Sequence, residues 1–280
     1  MHKTIMESTL SFQDIFERTF RSYEARFCGA TVVDVPAGSG NTARWLSRCG
    51  ATVIALDLFP DFFKAEGLQC NYCDLADRIP LPDETADFLV SQEGLEHIPN
   101  QINAFKEFSR VLKINGRLLL TCPNGSNLTA KVSHLLGESE RYGRIMPPNS
   151  VDGIWCNSAT EEKLYYGHLF IPTATKTRLF GQLAGLELVQ VHFSEFKLSC
   201  FLWFLFLYPF ILLSQLKNYL RNSRRNPAAR TEYQKAFMLS INPKILLDGS
   251  MVLEFEKIMS SEHAQEVLRT NWGAIQKNKP

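Results

Sequence analysis

Between residues 31 and 121 short apolar runs alternate with helical segments, and this alternation restricts the fold more than any other feature of the chain. The runs at 31–35, 52–56, 68–72, 86–91 and 117–121 are five or six residues long, the length of buried strands. The segments 41–49, 60–66 and 101–112 between them read as helices, and Ile102, Phe105, Phe108, Val111 and Leu112 fall on one face of the last. Such a series predicts an α/β fold with a parallel sheet covered on both faces. Right-handed crossovers then place a ligand at the carboxyl ends of the strands. Further along, the spacing predicts helices near 126–136 and 173–184 and strands at 186–193 and 250–258, with loops through most of 124–165. Upstream, Phe12, Phe16, Phe20, Tyr23 and Phe27 share one face of a helix over 8–27, with Ser11 and Asp14 as a weak capping box. That helix is expected to pack on the core, with a lid over a ligand as the alternative.

The first strand runs into Asp34-Val35-Pro36-Ala37-Gly38-Ser39-Gly40-Asn41. A strand, a glycine turn and a helix together let a ligand approach bare backbone and the free N–H groups of the helix start. Gly38 to Ala43 also fits the loose dinucleotide pattern G-x-G-x-x-A, a weak signal alone. The acids around the turn decide between ligands. Asp34 stands before it, Asp57 ends the second strand where ribose hydroxyls would lie, and Asp74 follows the third. A rim of three carboxylates opposes a diphosphate and suits a nucleoside carrying a sulfonium or ammonium group, so S-adenosylmethionine is the expected cofactor.

With these residues in view, the chain resembles the class I S-adenosylmethionine-dependent methyltransferases of the type 11 group. The resemblance is carried by DVPAGSG at 34–40, LD at 56–57, YCDLADRIPLPDETADFLVSQEGLEHIPN at 72–100 and RVLKINGRLLLTCPN at 110–124. It implies a Rossmann-like, seven-stranded, mostly parallel sheet with the last strand antiparallel. It also implies that Asp34, Gly38 and Gly40 frame the methionine end and that Asp57 holds the ribose. Asp74 would face the adenine amino group, Leu58 and Leu75 would lie against the ring, and Gln92 would close the pocket. The group usually has glycine where Pro36 stands, and proline removes an N–H from that approach.

Glu93, Glu96 and His97 would share one face if a helical turn began at Glu93. Two carboxylates and an imidazole suit a divalent ion such as Mg. Resemblance to metal-dependent small-RNA 2′-O-methyltransferases and quinone-pathway O-methyltransferases adds His168 as a further ligand. Related enzymes carry the same Glu-His pair without metal, which leaves His97, with His168, as a proton acceptor or orienting group. Cys70 and Cys73 form a lone C-x-x-C, read as two buried structural cysteines.

From 198 to 216 there are nineteen residues without a charge, followed by Lys217, Arg221, Arg224, Arg225 and Arg230. As a helix the stretch is about 28 Å long, close to a bilayer's hydrocarbon thickness. Pro209 argues against an unbroken helix, and the basic cluster after the stretch, with a cytoplasmic methyl donor fixing the side of residues 1–197, puts both flanks on one side and argues against a span. Contact with a membrane surface is therefore expected, with core packing or a dimer interface as the alternatives. The domain reading is a core with an N-terminal helix at 1–195, an aromatic and basic insertion between the last two strands at 196–249, and the last strand with a tail at 250–280. Thirty Lys and Arg against 29 Asp and Glu leave a net charge of +1, and nucleic acid is not expected as a partner. The polar N-terminus and unframed cysteines predict a cytoplasmic location. The expected activity is O-methylation of a small or lipid-linked acceptor, an isoprenoid-type precursor or a lipid-linked sugar. A non-catalytic membrane-attached scaffold and a nicotinamide oxidoreductase are the competing readings, and a homo-oligomer stays open.

Overall fold

The computed structural model describes residues 12–139, 148–155 and 165–277. Strands β1 (Thr31–Asp34), β2 (Thr52–Asp57), β3 (Cys70–Tyr72), β4 (Ala86–Gln92), β5 (Leu112–Pro123), β8 (Leu186–His192) and β9 (Ser250–Lys257) form one sheet, and β6 (Ile154–Trp155) pairs with β7 (Tyr165–Tyr166) in a separate ribbon. The sheet order is β3-β2-β1-β4-β5-β9-β8. Strands β1 to β5 are parallel, and β9 runs antiparallel to both β5 and β8. The order turns back on itself at β1, so a crevice opens beyond the carboxyl ends of β1 and β4.

Both faces are filled, which is why the strands carry apolar residues at nearly every position. Val32, Phe88, Val90 and Leu119 point to one side, onto Phe16, Phe20 and Phe27 of the N-terminal segment. Val33, Leu89, Leu118 and Leu120 point to the other, onto Phe105 and Phe108 of the helix Gln101–Val111. The N-terminal segment is thus a core layer, as expected, and not a lid. It is a helix at Phe12–Phe20, one tight turn at Arg21–Tyr23 and a short helix at Glu24–Phe27. The expected start at residue 8 and the Ser11 cap lie outside the described residues. Three smaller expectations are corrected. Residues 60–66 form only a turn at Pro60–Phe62, Ile102 is on the solvent side of its helix, and Cys70 is half-buried whereas Cys73 is buried.

Between β8 and β9 lie the helices Leu198–Arg225 and Arg230–Ser240 and the turn Pro243–Leu246. The first is unbroken through Pro209, contrary to the sequence expectation. Pro209 sits on its exposed face, while Cys200, Phe204, Tyr208 and Ile211 on the opposite face pack on Leu128, Leu246 and Leu247. Packing of one face holds the helix across a residue that costs about 3 kcal/mol inside it.

Asp248 closes the base of this insertion. It is 1% exposed and accepts hydrogen bonds from Ser194 N (2.6 Å), Ser194 Oγ (2.7 Å), Glu195 N (3.2 Å) and Ser250 N (3.1 Å). Asn124 Nδ2 donates to the carbonyls of Ile245 and Asp248, at 2.8 and 3.0 Å. Removing the Asp248 carboxylate leaves several buried donors without an acceptor. Asp248→Ala is expected to lower unfolding free energy by about 2–4 kcal/mol in urea titrations, with the insertion the first region opened by protease.

Candidate active site

The crevice is built first by the turn after β1. Ala37 N donates to Leu56 O at 2.9 Å, which binds the turn to β2 before the chain lifts away. Gly38 and Gly40 have φ of +51° and +81°, the left-handed region that favours glycine. Gly40 also precedes the helix Asn41–Arg48, and no side chain among the described residues caps that helix start. A Cβ on Gly40 would stand 2.5 Å from the ring of Phe63. Gly40→Ala is therefore expected to cost about 2 kcal/mol or more and to abolish ligand binding by shifting the turn, measured by thermal unfolding and ligand titration.

The three acids behave differently from one another. Asp34 is fully buried at the end of β1, beneath the turn and not on its rim, which corrects the sequence placement. Neither of its oxygens makes a well-formed hydrogen bond among the described residues. Burial and then the negative charge of Asp57 raise its pKa to about 8, with the Ala43 N–H drawing it back only in part. Asp57 accepts from Gly38 N at 2.7 Å and Phe59 N at 2.8 Å, so it fixes the shape of the turn. Asp74 accepts from Ala76 N at 2.9 Å.

Asp57, Leu58, Asp74 and Leu75 line one cavity of about 310 Å³, together with Glu93, Gly94 and His97 from the end of β4. Acids at the two strand ends flank an apolar slot formed by Leu58, Leu75, Phe59 and Ile98. Gln92 is turned elsewhere: its Nε2 donates to Thr42 Oγ1 at 2.7 Å and ties β4 to the helix after the glycine turn. Pro36 lines the cavity, and its ring occupies the space that Gly94 leaves open, 2.8 Å from where a Cβ would stand.

The expected helical turn from Glu93 does not form. Glu93 has φ +48°, and only Leu95–His97 make a tight turn. Glu93 consequently leaves the group it was expected to join. Among the described residues Glu96, His97 and His168 do come together, with candidate ligand atoms within 4.8 Å of one another. One carboxylate and two imidazoles are a donor set for a transition ion, not for Mg, which takes oxygen ligands. His97 Nδ1 is 2.7 Å from Tyr166 O, its Nε2 is 3.8 Å from Glu96 Oε1, and its ring meets His168 edge-on at 5.0 Å. Glu96 is fully buried, and His97 keeps 28% of its side chain exposed.

Sequence reading missed Tyr165 and Tyr166. They line the cavity, and Tyr165 stacks edge-on to Phe59 at 5.1 Å. The segment is anchored by Phe170 N donating to Glu96 O at 3.0 Å and by Gln101 Nε2 bridging Leu95 O and Phe170 O. The only signal was the aromatic pair directly before Gly167-His168. Cys73 lines the cavity as well, its thiol pushed up to about 12 by burial and by Asp74.

Residues 33–120 match a family model described as a methyltransferase domain. The chain is 36% identical over 103 residues to methyltransferase GfsG of Streptomyces halstedii, across 33% of this chain and 37% of that protein. It is 32% identical over 128 residues to a ubiquinone biosynthesis O-methyltransferase of Xylella fastidiosa, across 42% of this chain and 51% of that protein. The chain thus spans between about a third and a half of the length of the curated relatives it matches. Among solved structures, an S-adenosylmethionine-dependent methyltransferase from Archaeoglobus fulgidus superposes with a TM-score of 0.51 at 14% identity, over 88% of this chain and 94% of that one. The seven-stranded sheet with its one antiparallel strand is the class I methyltransferase fold.

Proposed function

We infer that this chain, whose residues 33–120 belong to the methyltransferase domain family, transfers the methyl group of S-adenosylmethionine to a hydroxyl oxygen. The buried Asp34 carries the reading. A carboxylate shut off from water, with no well-formed hydrogen bond among the described residues, is stabilised by a cation brought to it. A sulfonium nucleoside brings two positive groups, whereas a nicotinamide dinucleotide brings two negative phosphates.

The residues fit that nucleoside. The Asp57 carboxylate oxygens each keep a lone pair beyond the bonds from Gly38 and Phe59, enough to accept from two ribose hydroxyls. Leu58 and Leu75 would give the adenine an apolar slot and Asp74 would accept from its amino group, all three lining the cavity. When bound, the nucleoside supplies an electrophilic methyl carbon on a positively charged sulfur. What remains for the chain is to align the acceptor oxygen and take up its proton. His97 is placed for the second task. The Tyr166 carbonyl only accepts, so the neutral ring carries its proton on Nδ1 and its lone pair on Nε2. The buried Glu96 stands beside that nitrogen and would stabilise the imidazolium that proton uptake creates. His168 braces the His97 ring from the side. The name of the Xylella relative, an O-methyltransferase, agrees with an oxygen acceptor.

A divalent ion shared by Glu96, His97 and His168 is the second reading, favoured by the closeness of their ligand atoms. Chelation separates the two, since it leaves turnover unchanged if His97 acts as the base and abolishes it if an ion does the work. The function itself is tested with S-adenosylmethionine labelled in the methyl group. The expected result is release of S-adenosylhomocysteine and label on the acceptor when phenolic or lipid-linked hydroxyl compounds are added. Firm cofactor binding with no transfer to either class would favour the non-catalytic scaffold instead.

A further inference from the structure

The helix Leu198–Arg225 has two unlike faces. The inner face is packed on the body through Cys200, Phe204, Tyr208 and Ile211. Thr129 Oγ1 adds hydrogen-bond contacts of 3.0 Å to Ser199 Oγ and 3.2 Å to Cys200 Sγ. On the outer face Leu202, Phe206, Phe210, Leu213 and Leu220 recur at helical spacing, with Phe206 and Phe210 each 70% exposed and Leu213 65%. A helix of this composition in a water-soluble core would be buried. This one presents an apolar row about 27 Å long to its surroundings.

Charge decides what covers that row. Residues 196–231 contain Lys197, Lys217, Arg221, Arg224, Arg225 and Arg230 and no Asp or Glu, in a chain whose net charge is only +1. Towards its C-terminal end the outer face changes from apolar to basic, at Lys217, Arg221 and Arg224, all exposed. We propose that this face docks the protein in the plane of an anionic lipid bilayer, apolar row among the acyl chains and basic row at the headgroups. The helix is long and apolar enough to cross a bilayer, but its inner face is packed on Leu128, Leu246 and Leu247, which favours lying in the plane over a span. A second copy of the chain would cover the apolar row but offers the six cations no acid from the same helix. At a bilayer the chain meets acceptors carried on lipid, such as isoprenoid-type precursors and lipid-linked sugars. That narrowing rests on the methyl-transfer reading, but the docking does not.

The test is flotation of the full chain with phosphatidylcholine vesicles, with and without phosphatidylglycerol, and without cofactor, so that its outcome is independent of methyl transfer. The chain is expected to float with the anionic vesicles and to be released by high salt. Phe206→Glu with Phe210→Glu should weaken binding by about 10-fold or more, with a melting temperature nearly unchanged because each residue is 70% exposed. Arg221→Glu, Arg224→Glu and Arg225→Glu together should weaken it by about 100-fold on anionic vesicles. The proposal is overturned if the intact chain stays in the soluble fraction with both vesicle types, or binds both equally. A discrete dimer in sedimentation that the double phenylalanine substitution dissolves would also overturn it.

Discussion

Asp34→Asn is expected to make the protein harder to unfold at pH 8 and at the same time unable to hold its cofactor. Both effects come from one buried carboxylate. In the folded chain its pKa is raised to about 8, while in the unfolded chain it has the ordinary value of 3.8. Between those values the folded state binds a proton that the unfolded state has released. Stability from this group is therefore full below pH 4 and falls as pH rises towards 8. Asparagine removes the ionisation, so the melting temperature at pH 8 should rise by about 2 °C or more, and the difference should vanish near pH 4. If the ionised carboxylate meets the sulfonium or ammonium group, the same change should weaken S-adenosylmethionine binding at least about 100-fold. A variant that melts lower than the parent at pH 8 would show that the carboxylate has a partner in the folded chain. Unchanged cofactor affinity would show that it faces no cation.

His97→Ala is expected to reduce kcat by about 10²- to 10⁴-fold while leaving the affinity for S-adenosylmethionine within about 3-fold of the parent. The separation follows from position. Asp57, Leu58, Asp74 and Leu75 line the cavity from the ends of β2 and β3, whereas His97 enters it from the turn after β4. A residue that only shaped the cavity would change KM and kcat together. A base can also be replaced by hydroxide, so the rate of the variant should recover as pH rises, measured as a pH–rate profile. Loss of cofactor binding in this variant, or a pH profile parallel to the parent's, would remove His97 from the proton-accepting role.

The parts of the molecule legible in the sequence are those set by local rules. Phe16 and Phe20 had to share a face because helix spacing puts them there, and both are fully buried. Gly38 and Gly40 had to mark a turn because their backbone angles favour glycine. Asp57 and Asp74 followed from strand ends. What could not be read depends on contacts between distant segments. Whether Asp34 stood at the rim or below it is decided by the turn that folds over it. The failed turn at Glu93 reflects a single backbone angle, φ +48°, which moves one carboxylate out of a group of four. Tyr165 and Tyr166 reach the cavity from a segment about seventy residues beyond the last site residue of β4, and no periodicity announces them. The same holds for Glu254, buried in β9, which accepts from Tyr23 at 2.8 Å and Arg117 at 3.2 Å and lies 3.1 Å from His192 Nε2. Burial alone would push that carboxyl up, but those hydrogen bonds and the Arg117 charge hold it below the usual range. Each of the four residues reads as unremarkable in its own segment.

On this reading the carboxyl buried beneath the glycine turn selects a positively charged nucleoside by ionising against it. Calorimetry of the intact chain near pH 7 tests it most directly, with S-adenosylmethionine titrated in two buffers of different ionisation enthalpy. Binding should release a proton as Asp34 ionises against the cation, a release absent in Asp34→Asn, and NADH should give no signal. Heat with NADH and none with S-adenosylmethionine or S-adenosylhomocysteine would contradict the account.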